Sequence, residues 1–205
     1  MIFSEIQNYL DKNHVMLIDN VINVLKDKFS KNSFNISTRG IHETVDLLLK
    51  KKNIVEGTKY TKEQILRNPR RKRILDYIKR NPGIYKNKIL KKFKYGNYVI
   101  SWHLNVLQKY EFIVKEYFDN RNIYFVPDLD FNDVKKAYIL SKEKSKQIIE
   151  CILHNNIGIT KTHLSRELNM HPYTIVKYLN YLEDINIIKK EKISHKYLYF
   201  LNRDF

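Results

Sequence analysis

The sequence predicts a mainly α-helical chain with small β-hairpins, an α+β architecture built around one repeated unit. Three observations carry this. The stretch Ile74–Val126 lies over Ile149–Leu201 without a gap, at a constant offset of 75 residues. Within each copy, apolar residues run at helical spacing through three short segments and then collect into two strand-like runs. Asn, Pro and Gly punctuate both copies at matching places. About a quarter of the overlaid pairs are identical and apolar positions fall on apolar positions, the mark of a duplicated domain.

The first 64 residues read as helical. Ile2 to Leu10 and Val15 to Phe29 carry apolar residues at helical intervals, and Ser37 or Thr38 can cap a helix bearing Ile41, Val45 and Leu48. Thr61-Lys62-Glu63-Gln64 has the spacing of a capping box, which predicts a connecting helix.

The first copy opens at Asn68-Pro69, where Asn caps and Pro suits the first helical position. Ile74, Leu75 and Ile78 give that helix an apolar face, and Asn81-Pro82-Gly83 ends it. Ile89, Leu90 and Phe93 mark a second short helix. Tyr95-Gly96-Asn97 is a tight turn, and Ile100, Leu104 and Leu107 form the inner side of a third helix. Phe112-Ile113-Val114 begins a strand, Asp119-Asn120-Arg121-Asn122 is a polar hairpin tip, and Ile123–Val126 returns.

The second copy keeps this order. Ile148, Ile149 and Ile152 lie on its first helix, and Ile157-Gly158-Ile159 is a short extended link. Thr160 can cap a helix with Leu164 and Leu168. His171-Pro172 opens the third helix, with Ile175, Leu179 and Leu182 inside, and a hairpin turns at Ser194-His195. In the acidic connector, Asn132 or Asp133 can cap a helix reaching Leu140. The expected division is 1–64, 65–127 and 128–205.

Three helices and a two-stranded hairpin in about sixty residues describe a winged helix-turn-helix. Val99 to Val114, VISWHLNVLQKYEFIV, resembles the recognition helix and first wing strand of ArsR-like and archaeal winged-helix regulators. Those families carry a Ser-x-His-Leu…Leu run, here Ser101-Trp102-His103-Leu104 and Leu107. The second copy has Val176, Lys177 and Tyr178 at those places, so the frame is shared and the specificity is not. The resemblance covers about 130 of the 205 residues. It implies tandem DNA-binding winged helices and transcription regulation. Lys50 to Val55 resembles a third-helix-to-strand junction, so residues 1–64 are either a degenerate third winged helix, with Gly57–Thr61 as a very short wing or turn, or a helical module that packs on the rest or forms a dimer.

Charge supports a polyanionic partner. The chain has a formal net charge of +16, divided as +2 over residues 1–64, +11 over 65–127 and +3 over 128–205. Such concentration marks a phosphate-facing surface more than a general solubility bias. If the third helix enters a major groove, its reading positions are Asn97, Tyr98, Ser101, Trp102 and Asn105. The second copy offers Tyr173, Thr174 and Lys177, a less polar set. Phosphate contacts are expected from Arg70, Arg71 and Arg73 on the first helix, from Lys86, Lys88, Lys91 and Lys92 on the second, and from Arg121 at the wing tip. Lys161, Arg166 and Lys196 are the second-copy counterparts of Lys86, Lys91 and Arg121. The second copy either grips DNA loosely or serves a homodimer.

The alternative reading is a tandem winged-helix protein-interaction or assembly module without sequence-specific DNA readout, against which the +11 of residues 65–127 counts; enzyme and metal-sensor classes find no support in the residues. One cysteine, Cys151, leaves no disulfide framework or Cys cluster, so the metal sensing of ArsR-like proteins is not implied. The five glycines are isolated turn markers rather than a phosphate loop, and the seven histidines show no metal-binding pairing. No catalytic constellation, cofactor or metal site is expected. No apolar run reaches membrane-spanning length, and the N-terminus lacks a signal layout, so a cytoplasmic protein without membrane association is expected.

Overall fold

Local signals set the helix starts in the computed structural model, which describes residues 1–13, 15–31 and 36–202. The described part is mainly helical with two small antiparallel sheets, and it divides into two compact units, Met1–Pro127 and Asp128–Phe205.

The first unit begins with α1 (Ile2–Lys12), α2 (Ile18–Lys31) and α3 (Thr38–Lys50). Ser37 caps α3 by accepting the Gly40 N–H at 3.1 Å. Ile6, Leu10, Val21, Leu25, Ile41 and Val45 bury almost completely into one cluster, because apolar residues three and four apart share a helix face. Residues 51–60 form turns, and no strand occurs among the described residues 1–64. Of the two alternatives for Gly57 to Thr61, a very short wing or a turn, the structure has the turn. The short α4 (Lys62–Ile65) follows, and Gln64 Oε1 accepts the Thr61 N–H at 2.9 Å.

A second core in the same unit assembles α5 (Pro69–Arg80), α6 (Lys86–Phe93) and α7 (Asn97–Lys109). Asn68 caps α5 through the Arg71 N–H, with Pro69 in the first turn. Ile74, Ile78, Ile89, Ile100 and Leu107 have no measurable exposure, and burying each contributes about 1.5–3 kcal/mol. Strands β1 (Ile84–Tyr85), β2 (Val114–Phe118) and β3 (Arg121–Phe125) form one sheet in the order β1-β3-β2. The β2–β3 turn is only Asp119-Asn120, both at positive φ (53° and 58°), as a tight primed hairpin turn requires. Arg121 is the first residue of β3, paired with Phe118, rather than the tip residue that the polar run suggested.

Tyr110, the residue after α7, ties this core to the turn segment 51–60 that precedes α4. It is 1% exposed, and its hydroxyl meets Thr58 Oγ1 at 2.7 Å and the Tyr60 carbonyl.

The second unit starts with α8 (Phe131–Leu140), capped by Asp130 through the Asn132 N–H at 2.8 Å rather than by Asn132 or Asp133. The acceptor must precede the first turn, and Asp130 is the carboxylate placed there. Then come α9 (Glu143–His154), α10 (Lys161–Glu167), α11 (Pro172–Asp184), β4 (Ile188–Ile193) and β5 (Lys196–Leu201). Thr160 and His171 cap α10 and α11. Ile148, Leu164, Ile175, Leu179 and Leu182 are wholly buried. Cys151 packs inside as well, and burial, with Glu167 beside it, pushes its thiol up to about 11. The 75-residue offset extends to pairing: Ile84 faces Tyr124 in the first unit, and Ile159 faces Tyr199 in the second.

Candidate nucleic-acid interface

Helix α7 buries Ile100, His103, Leu104 and Leu107, which turns the positions between them outward. Asn97, Tyr98, Trp102 and Asn105 are exposed on one face, with Ser101 half-buried among them. Tyr98 is 83% exposed and Trp102 46%, a large apolar area to leave in water. Ser101 Oγ donates to the Asn97 carbonyl at 2.9 Å, so its hydroxyl is left to act toward a partner as an acceptor. Val99, Tyr98, Trp102 and His103 join Asn68, Pro69 and Arg70 around an open depression of about 330 Å³ at the start of α7.

Arg71 does not belong with the exposed cations. It is 4% exposed, its Nη1 donates to the Ile65 carbonyl at 2.7 Å, and its guanidinium lies 4.9 Å from the centre of the Trp102 ring. The expectation that Arg71 meets phosphate is therefore corrected: the side chain is held inside, behind Trp102. Burial lowers its affinity for a proton, though a guanidinium keeps its charge.

His103 is 2% exposed and packs its ring 4.8 Å from that of Trp102. Burial, reinforced by the charges of Arg71 and Arg70, holds its imidazole below the ordinary value of 6.5. The folded chain then takes up that proton less readily than the unfolded chain. Stability is full above pH 6.5 and is lost as the pH falls toward the lowered folded value. Thermal melts followed by Trp102 fluorescence should show a lower melting temperature at pH 5.5 than at pH 7.5. The loss is at most about 1.4 kcal/mol per pH unit, and His103→Phe should flatten it.

The other phosphate candidates of the first unit lie on α5 and α6, which pack against α7, and on β3. Arg70, Arg73, Lys88, Lys91, Lys92 and Arg121 are exposed and Lys86 is half-buried. Several rest on aromatic rings: Arg70 on Tyr95 at 5.3 Å, Arg73 on Phe93 at 5.8 Å, Lys92 on Tyr77 at 5.9 Å and Arg121 on Tyr85 at 4.5 Å. These contacts steady long side chains that would otherwise lose entropy on binding.

The fold gathers some of the expected phosphate residues and leaves others apart. Lys86 and Arg121 meet in a cleft of about 360 Å³ with Tyr85, Asn87, Asn122 and Tyr124. In the second unit Lys161, Arg166 and Lys196 meet in a cleft of about 780 Å³. The six residues lining the first cleft, advanced by 75, are Thr160, Lys161, Thr162, Lys196, Tyr197 and Tyr199, and all six line the second. Lys91 and Lys92 lie outside the first cleft. Tyr85, Lys190, His163 and His195 were not expected from sequence. The alternation of the hairpin strands was the signal available for Lys190 and the hairpin turn at Ser194-His195 that for His195; none marked Tyr85 or His163.

On the second reading helix, Tyr173 is 75% exposed, Thr174 is half-buried, and Lys177 lies 5.5 Å from the Tyr181 ring. Among the described residues no group of three or more His, Cys, Asp or Glu is placed to hold a metal, and no helix is long and apolar enough to cross a membrane.

No protein-family model matches the chain. The chain is similar to a protein of Methanocaldococcus jannaschii named as an uncharacterized HTH-type transcriptional regulator, with 31% identity over 140 residues. That match takes in 68% of this chain and 35% of the relative, so the chain spans about a third of the relative's length.

Proposed function

We propose that the chain is a sequence-specific, double-stranded-DNA-binding transcriptional regulator of the archaeal-type tandem winged helix-turn-helix class. In this reading α5 to β3 is one winged helix and α9 to β5 the other, and α7 is the helix that enters the major groove. The observation that carries it is the outer face of α7. Two asparagines suited to adenine, two exposed aromatic rings and a serine acceptor share that face, and the exposed Arg70 lines the depression at its start. The cleft holding Lys86 and Arg121 would take backbone phosphate, setting register while α7 reads bases. The named activity of the M. jannaschii relative agrees with this reading.

The test is selection of bound sequences from a random duplex pool, followed by titration of the selected duplex. Trp102 is the chain's one tryptophan, so its fluorescence reports on the α7 face directly. The expected results are quenching on binding and an affinity that falls steeply with salt. Asn97→Ala should reduce the preference for the selected site by about 1–3 kcal/mol and leave random-duplex binding nearly unchanged. Absence of binding to any duplex at low salt would overturn the reading.

A further inference from the structure

We infer that Asp128–Phe205 is a second duplex-gripping unit, one that holds backbone phosphate with little discrimination among bases. This rests on the DNA-binding reading of the first unit. The cleft between α10 and the β4–β5 hairpin is the larger of the two matching clefts, about 780 Å³ against 360 Å³. Lys161, Arg166, Lys190 and Lys196 line it, joined by the imidazoles of His163 and His195. No carboxylate lines it among the described residues, and Glu167 sits at its margin, 3.5 Å from His163. Four permanent cations held around one concave surface repel each other, an arrangement that an anion with several negative oxygens relieves.

The repeat shows which parts of the interface the second unit kept. Every position lining the first cleft has its counterpart in the second, and the two cations survive as Lys161 and Lys196. The reading helix was not kept in the same way. Asn97, Ser101 and Trp102 correspond to Pro172, Val176 and Lys177, so of the polar reading residues only Asn105 is kept, as the exposed Asn180. Tyr173 remains exposed where Tyr98 is, and a single ring can pack on sugar or base without selecting a sequence. The chemistry the two units share most fully is therefore phosphate binding, since all six cleft positions are matched and one of five reading positions keeps its amide. Two linked grips on one polyanion raise affinity through effective concentration.

The full-length chain carrying Lys161→Glu and Lys196→Glu should be compared with one carrying Lys86→Glu and Arg121→Glu, on both a selected and a random duplex. The second-unit pair is expected to make the slope of log affinity against log salt shallower by about 2, one for each phosphate contact. It should also weaken the selected and random duplexes by the same factor. Both lysines are exposed, so melting should be unaffected. If the acidic pair perturbs folding, Lys161→Gln with Lys196→Gln should still make the slope shallower. An unchanged slope for the second-unit variants, with or without a change in sedimentation, would overturn this inference. If the first-unit pair meanwhile weakens binding, the first unit's DNA reading stands. If the unaltered chain binds neither duplex, that reading falls and the inference falls with it.

Discussion

Arg71→Ala is expected to destabilise the unit Met1–Pro127 by about 3 kcal/mol and to shift Trp102 emission to the red. Arg71 is nearly fully buried and makes two contacts of different kinds. Its Nη1 donates to the Ile65 carbonyl at the end of α4, and its guanidinium lies against the Trp102 ring. Truncation leaves that carbonyl without its donor, at about 1–3 kcal/mol, and removes the cation–aromatic contact, about 0.5–2 kcal/mol. Arg71→Met separates these contributions from packing, since it restores the stem and not the donor. It should recover part of the stability and little of the emission. Urea unfolding followed by Trp102 fluorescence reads the first unit alone, because the second contains no tryptophan. If Arg71→Ala left both stability and emission unchanged, the contact with Trp102 would have no structural role.

Gly158→Ala should destabilise the second unit by a comparable amount, about 3 kcal/mol. Gly158 has φ +87°, a conformation that L side chains rarely adopt. A Cβ there would also lie 2.4 Å from Cζ of Phe200 on β5. Relief requires displacement of a half-buried ring in the strand that closes the second core. Differential scanning calorimetry should show the lost stability. Helix content below the transition should be preserved, since α9 to α11 do not depend on that ring. Gly83, the equivalent in the first unit, also has positive φ, at +78°. The glycine repeated at the 75-residue offset therefore answers a backbone need, where the sequence marked a helix end at Gly83 and an extended link at Gly158; the φ of +87° corrects the latter.

Much of the fold was legible because its signals are local. Asn68-Pro69, Thr160 and His171-Pro172 cap the helices they were expected to cap. The apolar spacing picked out the buried sides of α7 and α11, down to Ile100, Leu107, Ile175 and Leu182. The outer face of α7 follows from the same periodicity, since fixing what is buried on a helix fixes what is left outside. The second hairpin turns at Ser194-His195 as expected, but the first was less legible. A two-residue turn needs only two positions of positive φ, so Arg121 belongs to the strand although the polar run continues through it.

The sequence alone determined the repeat, the order of elements, the concentration of charge in residues 65–127 and the composition of the α7 face. All of these depend on residues close together in the chain, or on a comparison of the chain with itself. Only the tertiary structure decided that Arg71 turns inward while Arg70 and Arg73 stay outside. It also decided that Lys86 meets Arg121, and that Lys161 and Arg166 meet Lys196. The reason is physical: a run of basic residues has the same composition whichever way each side chain points. The direction is set by which carbonyl or ring lies within reach, and that partner comes from another element of the fold.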